Sequence, residues 1–276
     1  YAYDFASSYP FVMCSERYPV TPFYPDEYDE KKVNEKAYLM RIQLFGAEAK
    51  TQNHYLSVSK CTEIKGQKED NGRVITASFI ETWVTEQDLN IIKRTYNYND
   101  LFIVECYSSH KEYLPRVLID YVLELYANKT SLKGIEDQLE LYGISKQFIN
   151  SLFGMCVTSL INDDIIFDPA CKDPKKLWVV NEKTEDEVNS FLNELKASNR
   201  NRTFLGYQWG VWITAYARHN LWECMLHEEN GELVEQYVIY RDTDSLKLLK
   251  NFDFTWYNPT PDRKPKETCE CYAIPS

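Results

Sequence analysis

The sequence predicts an α+β fold in which antiparallel sheets pack against helices, because strand patterns and helix patterns occupy different parts of the chain. Strand-like runs at about 38–45, 54–60 and 73–84 dominate the first third. Apolar residues recur at helical spacing from 114 to 160 and again from 209 to 225. Two short apolar runs near the far end flank a pair of aspartates, which predicts a β-hairpin there.

The first elements are predicted from aromatic and turn-forming residues. The opening run is β-prone and leads into Ala6–Pro10, which predicts a strand that ends in a tight turn with Asp4 at its end. Residues 17–36 combine Pro, Tyr and alternating charge, and predict an irregular connector. The Asn71-Gly72 step predicts a hairpin turn between the second and third strand-like runs.

Helix starts are marked by capping residues. Thr85 and Asp88 have the form of a capping box, and a second one lies at Thr184–Glu187. Spacings of three and four predict a strong amphipathic helix over 114–125, a second helix over about 135–160 and a buried helix over 209–225.

The composition is that of a globular chain of 276 residues, with 44% hydrophobic residues. Its apolar runs fall far short of the ~20 residues that a membrane helix needs, so we expect no membrane partner. The net charge of −11 argues against binding of nucleic acid by bulk electrostatics alone. This net charge does not exclude an enzyme whose acidic site is neutralised by metal ions and whose groove for nucleic acid is only locally basic. Because the first residue is Tyr1 rather than Met, we expect a fragment.

Three acidic residues, Asp4, Asp242 and Asp244, are predicted at strand ends or turns. Two-metal phosphoryl transfer needs such a set, with carboxylate oxygens that hold two Mg²⁺ ions roughly 3.5–4 Å apart. An isolated Asp-x-Asp pair, however, is more typical of a solvated turn. Between the two ends, Lys146, Asn150 and Phe153 are spaced by four and three, so they share one helical face.

In this order, the three runs resemble the three polymerase motifs of family B DNA polymerases. Asp4 to Pro10 resembles Asp-x-x-Ser-Leu-Tyr-Pro, and Lys146 to Gly154 resembles Lys-x-x-x-Asn-Ser-x-Tyr-Gly. Tyr240 to Ser245 resembles Tyr-x-Asp-Thr-Asp-Ser. Ser8 replaces the usual Leu and Phe153 the usual Tyr, which puts any hydrogen bond of that hydroxyl in doubt.

The resemblance covers nearly the whole chain and is strongest to the protein-primed viral and organellar subgroup. It implies a right-hand polymerase palm, an antiparallel sheet with packed helices, together with helical fingers and a β-rich insertion. The implied segments are a first palm part at 1–16, a terminal-protein-region-1-like insertion at 17–112, fingers at 113–164, a second insertion at 165–204, a second palm part at 205–257 and an irregular tail at 258–276, with the thumb absent.

The resemblance also implies roles for individual residues. Asp4 and Asp244 would ligate two Mg²⁺ or Mn²⁺ ions, Asp242 would be an auxiliary ligand, and the Phe5 carbonyl would complete a coordination shell. The implied nucleotide-binding residues are Phe5, Ser7, Tyr9, Lys133, Lys146, Asn150 and Phe153, with Tyr9 excluding a ribose 2′-hydroxyl. The residues implied to support primer and template are Gly154, Tyr240, Thr243 and Ser245. Arg241 is expected to pair with a carboxylate or with a primer phosphate.

The implied activity is DNA-directed DNA synthesis from a primer 3′-hydroxyl or a protein primer. The implied partners are DNA template and primer, deoxynucleoside triphosphates and a terminal protein. A viral or phage protein would act in the host cytoplasm, and one from a linear organellar plasmid in the mitochondrion. The alternative from another class is a noncatalytic module that keeps the polymerase fold, although retention of three mutually repelling carboxylates favours catalysis. Reverse transcriptase or RNA polymerase activity is disfavoured by the second motif and by Tyr9.

Overall fold

The computed structural model describes residues 1–5, 7–158, 164–167, 178–181, 183–197, 206–257 and 271–274. The helices in these ranges are α1 Ser8–Ser15, α2 Glu86–Thr95, α3 Arg116–Leu132, α4 Leu139–Val157, α5 Glu185–Ala197 and α6 Tyr207–Met225. The strands are β1 Ala2–Phe5, β2 Arg17–Pro19, β3 Tyr24–Pro25, β4 Lys36–Ala49, β5 Cys61–Lys65, β6 Lys68–Asp70, β7 Arg73–Thr85, β8 Tyr96–Asn97, β9 Asp100–Tyr113, β10 Asp164–Phe167, β11 Trp178–Asn181, β12 Glu228–Glu229, β13 Glu232–Leu233, β14 Val238–Asp242, β15 Ser245–Leu248 and β16 Cys271–Ile274.

A four-stranded antiparallel sheet joins the two ends of the chain in the order β14-β15-β1-β16. The predicted hairpin is confirmed, since β14 and β15 pair with Asp242 opposite Ser245. β1 lies in the middle of the sheet and pairs with β15 on one side and β16 on the other. The strand β16 corrects the prediction of an irregular tail, while residues 258–270 of that tail lie outside the described residues.

A larger antiparallel sheet is built on the long strands β4, β7 and β9. The predicted hairpin turn at Asn71-Gly72 is confirmed, and both residues have the positive φ angles, 48° and 71°, that such turns favour. The strand predicted over 54–60 is wrong. Tyr55 and Leu56 are adjacent yet both buried, whereas a strand sends neighbouring side chains to opposite faces. A 3₁₀ turn, Val58–Lys60, follows instead.

The helix predictions are largely confirmed. The Thr85 hydroxyl accepts from the Asp88 amide and the Asp88 carboxylate accepts from the Thr85 amide, so the capping box opens α2 as predicted. The second box is also formed, because the Thr184 amide and hydroxyl both donate to Glu187. Much of the predicted second insertion, 165–204, lies outside the described residues.

The helix α1 differs from the prediction, which placed a tight turn at Ala6–Pro10. Pro10 lies in the first turn of this helix, where a backbone N–H has no partner within the helix, so the N–H that proline lacks is not missed.

Two apolar clusters form the core, and α6 contributes to both. Trp212 and Ile213 pack with α1, α3 and α4, while Leu221 and Trp222 pack between the two sheets. Close approach of α6 to α4 requires Gly210, since a Cβ there would lie 2.4 Å from a Val157 methyl carbon. None of the helices in the described ranges is long and apolar enough to cross a membrane.

Candidate active site

The candidate site lies at the end of the four-stranded sheet where β1 and the acidic hairpin meet; we use "acidic hairpin" for Val238–Leu248, which comprises β14, β15 and their turn. Asp4 is in register with Ser245 of β15. The Phe5 amide donates to the Asp244 carbonyl oxygen at 2.8 Å. Backbone pairing therefore holds Asp4 and Asp244 side by side from opposite ends of the sequence.

The electrostatics of Asp4 and Asp244 differ from those of ordinary surface carboxylates. Partial desolvation raises the pKa of Asp4, and the Lys129 and Lys146 cations oppose that rise. Desolvation also raises the pKa of Asp244, and the negative charge of Asp4 raises it further. The two carboxylates repel each other in a partly water-excluded place, an arrangement that a bound cation would stabilise.

Asp242 lies on β14, and its negative charge makes a smaller contribution than that of Asp4 to the raised pKa of Asp244. Its carboxylate accepts hydrogen bonds from the Thr243 hydroxyl at 3.0 Å and from the Tyr240 hydroxyl at 3.4 Å. Among the described residues, no group of three or more His, Cys, Asp or Glu side chains is close enough to hold one metal ion. The structure thus brings together two of the three predicted carboxylates rather than a three-carboxylate cluster.

The backbone next to the acids is strained on both sides. Thr243, in the turn of the acidic hairpin, has a φ of 43°, and Ser7, between β1 and α1, has a φ of 55°. Positive φ costs a non-glycine residue about 1–3 kcal/mol and is often found at functional sites. The Ser245 hydroxyl donates to the Asp242 carbonyl oxygen at 3.2 Å and helps to hold the turn.

A lysine cluster, Lys129, Lys133 and Lys146, faces the acids from the helical side. The Lys129 ammonium group donates to the Ser7 hydroxyl at 2.8 Å. Burial lowers the pKa of Lys129, as do the cations Lys146 and Lys133, while Asp4 opposes the shift. The structure therefore places one of the predicted nucleotide-binding lysines, Lys146, near Asp4. It places the other, Lys133, near a further lysine that was not predicted, Lys129. Its position one helical turn before Lys133 was the signal in the sequence that could have found it.

Tyr9 and Phe153 form an aromatic stack at the same place. Their ring centroids are 4.2 Å apart with an interplanar angle of 29°. Burial raises the pKa of Tyr9, with a further contribution from the charge of Asp244. The motif that begins at Asp4 and the motif on α4 are therefore in direct contact, although they lie far apart in the sequence.

The other predicted residues are less directly placed. Asn150 is exposed on α4 one turn from Phe153, and a Cβ at Gly154 would meet nothing within 4 Å. The Phe5 side chain is buried and packs edge-on against Tyr257 at 5.2 Å, so it can serve the site only through its backbone.

Two arginines near the site contact segments that connect strands of the larger sheet. The Arg218 guanidinium on α6 pairs with Asp88 at 2.9 Å, and it also opposes the rise in the Tyr9 pKa. Arg241 of the acidic hairpin donates to the His54 carbonyl oxygen at 2.9 Å. Of the two partners expected for Arg241, no carboxylate of the described residues lies within 4.0 Å, and contact with a primer phosphate stays a prediction.

A comparison with protein-family models and a comparison with solved structures both match this chain to DNA polymerases. A family model described as DNA polymerase type B, organellar and viral, matches residues 1–205. The structure is similar to Phi29 DNA polymerase in an orthorhombic crystal form, with a TM-score of 0.58, 16% identity, and 91% of this chain and 39% of that chain covered. It is also similar to Phi29 DNA polymerase complexed with primer-template DNA and incoming nucleotide substrates, with a TM-score of 0.59, 18% identity, and 98% of this chain and 42% of that chain covered. No curated protein sequence matches the chain.

Proposed function

Because this chain belongs to the organellar and viral type B DNA polymerases, we propose that its acidic hairpin and β1 carry the catalytic centre for template-directed DNA synthesis. The observation that supports this most is the pairing of β1 with β15, which sets Asp4 beside Asp244. In this proposal the four-stranded sheet and α6 form the palm, α3 and α4 form the fingers, and the larger sheet is the insertion of the protein-primed subgroup. The chain spans about two fifths of the length of the Phi29 polymerase chains that it matches, 39% in one crystal form.

The donor set fits two divalent cations of the Mg²⁺ type. Asp4 and Asp244 offer hard carboxylate oxygens, which Mg²⁺ and Mn²⁺ prefer, and their mutual repulsion is the kind that a cation relieves. Asp4, Asp244 and the Phe5 carbonyl would hold the ions, with Asp242 as an auxiliary ligand. When bound, such ions supply charge that activates the primer hydroxyl and stabilises the leaving pyrophosphate.

The protein's own groups would bind and orient the substrates. The lysine cluster meets the triphosphate of the incoming deoxynucleotide, where charge develops in the transition state. The stack of Tyr9 on Phe153 lies beneath the sugar and leaves no room for a 2′-hydroxyl, while Asn150 lies beside the nascent base pair. Tyr240, Thr243 and Ser245 keep the hairpin in place beside the primer end, with Gly154 on the template side.

The partners follow from the same proposal. The Phi29 enzyme is seen with primer-template DNA and incoming nucleotides, and this chain would bind the same classes of ligand. A terminal protein would act as primer if the chain shares the priming mode of its subgroup. The protein would then act where a viral or organellar genome is copied, in the host cytoplasm or the mitochondrion.

Primer extension by the full-length protein tests the proposal. With deoxynucleotides and Mg²⁺, the wild type should extend a labelled primer, and Asp244→Asn should reduce extension by about 10³-fold or more, because neutralising one carboxylate removes charge from both cation positions. Extension by Asp244→Asn at the wild-type rate would remove the metal assignment. A wild type that binds primer-template DNA but never extends it would favour a noncatalytic module.

A further inference from the structure

The strand that carries Asp242 lies at the edge of its sheet. Among the described residues, β14 pairs only with β15 in the order β14-β15-β1-β16, and that pairing is irregular between Val238 and Tyr240. An edge strand has unpaired backbone groups along its outer side, so sheet pairing alone fixes it weakly. Contacts of its side chains must therefore supply the remaining restraint on Asp242.

Arg241 supplies the most direct of these contacts. Its Nη2 donates to the His54 carbonyl oxygen at 2.9 Å, and its guanidinium carbon lies 5.1 Å from the centre of the Trp222 ring. No carboxylate of the described residues lies within 4.0 Å of this cation. The side chain thus joins the acidic hairpin to α6 and to loop 50–57, the segment between β4 and the Val58–Lys60 turn.

The same loop is tied to the hairpin's base at a second point. Glu235, 1% exposed in the 3₁₀ turn that leads into β14, accepts from the Asn53 amide at 2.5 Å and from its side-chain nitrogen at 2.9 Å. Tyr55 of the loop packs edge-on against Trp222 at 5.6 Å. The loop is itself anchored, since Arg73 of β7 donates to the Tyr55 carbonyl oxygen at 2.8 Å. The anchored loop therefore contacts β14 through the Arg241 side chain and the turn before β14 through Glu235.

We infer that Arg241 is a positioning residue, through which loop 50–57 holds β14 in place and so sets the position of Asp242 and of the turn that carries Asp244. This inference rests on the proposed polymerase activity, and it assigns to the larger sheet's loop a part in the geometry of the catalytic acids. Arg241 acts through the hairpin: its bonds are to the loop and to Trp222, and none is to an acid of the site.

Arg241→Met in the full-length protein tests this assignment, because methionine keeps much of the volume but loses the hydrogen bond and the charge. Hydrogen exchange of the amides at 238–242 should become faster, while the melting temperature changes little. The kcat for deoxynucleotide addition should fall by about 10- to 100-fold with the nucleotide KM within about twofold, as expected for acids displaced by a fraction of an ångström. Lys247→Met is the matched control, since Lys247 lies on the same hairpin, stacks on Tyr240 and has no bond to the loop.

Three outcomes would overturn the inference. Unchanged kcat in Arg241→Met would show that the contact is not needed. Reduced kcat with unchanged exchange at 238–242 would show that Arg241 acts directly on the ligands. If Arg241→Met fails to fold, Asn53→Ala removes one of the bonds to Glu235 and should accelerate the same amides more weakly; unchanged exchange there would also refute the inference. A wild-type protein without polymerase activity refutes the proposed function instead, and leaves the exchange experiment valid.

Discussion

Two pairs of carboxylates in this molecule have opposite surroundings. Asp88 and Glu86, at the start of α2, are fully partnered: Asp88 by Arg218, Tyr55 and the Thr85 cap, and Glu86 by Lys111, Trp212 and the Tyr38 amide. The pKa of Asp88 is lowered, because Arg218 and its hydrogen bonds outweigh burial. Asp4 and Asp244, by contrast, face each other, and the pKa of each is raised.

Under the proposed function, this difference separates acids that stabilise the fold from acids that bind a ligand. A partnered carboxylate is stabilised in its charged form, so its loss should weaken the protein. A carboxylate left beside another carboxylate is a cost to the fold, which is understandable only if something else stabilises it during function. Each substitution below is therefore expected to affect either stability or activity, but not both.

Asp4→Asn should have the largest effect, and on activity alone. Loss of one of two neighbouring carboxylates should reduce primer extension by about 10³-fold, which corresponds to about 4 kcal/mol of barrier. Because it relieves repulsion, the melting temperature should stay the same or rise. Asp70→Asn, the same change at the exposed Asn71-Gly72 hairpin, is the control and should alter neither. A large fall in melting temperature for Asp4→Asn would mean that Asp4 is a structural acid.

Asp88→Ala should reduce stability and leave activity unchanged. The substitution leaves the Arg218 guanidinium and the Tyr55 hydroxyl without their carboxylate partner, and breaking a buried pair in this way typically costs about 3–5 kcal/mol of unfolding free energy. Urea unfolding measures the loss. The matched control is Asp120→Ala, whose partner Arg116 lies one turn away on the exposed face of α3 and contributes about 0.5 kcal/mol or less. Equal losses for the two variants would remove the distinction between the two sets of acids.

The sequence predicted the individual motifs well but not their partners. The acidic hairpin, the capping boxes and the helix with Lys146 follow from local spacing, so they were accessible without the structure. The capping-box pattern at Thr85 identified Asp88 as a helix-capping residue. No residue near Asp88 in the sequence indicates that it also pairs with Arg218, which lies 130 residues further along the chain. Contacts of this kind depend on how α6 crosses α2, which local patterns do not encode.

Strand register gives a physical reason for the predicted difference between the two hairpin aspartates. The resemblance made Asp244 a ligand of both ions and Asp242 an auxiliary one. Because β1 pairs with β15, Asp244 lies beside Asp4, whereas Asp242 lies on the next strand and accepts a hydrogen bond from Thr243. The contact of Arg241 with the His54 carbonyl oxygen could not be predicted, because no local pattern places loop 50–57 beside the hairpin.

Lys129→Met should have an intermediate effect and should reduce activity only. Lys129 is the cation that touches Ser7 and opposes the rise in the Asp4 pKa, so its loss should weaken the hold on the triphosphate. We expect about a tenfold rise in the nucleotide KM, about 1.4 kcal/mol, with unfolding unchanged. Arg116→Met, which removes a cation from the other end of α3, should leave KM unaltered. An unchanged KM for Lys129→Met would exclude Lys129 from the nucleotide site.

The smallest effect is expected at Asp26, a partnered acid near the surface. Hydrogen bonds from Lys36 and Ser108, each at 2.6 Å, lower the pKa of Asp26 to about 2. An acid whose pKa is lowered by folding stabilises the protein above its unfolded pKa of about 3.9, and that contribution is lost as the pH falls through 2. Because the side chain is 29% exposed, solvent screening limits its worth to about 0.5–1 kcal/mol. Asp26→Asn should therefore be less stable than wild type at pH 6, and the difference should shrink toward pH 2 in urea unfolding; a difference that is constant with pH would show that the pair adds no charge-dependent stability.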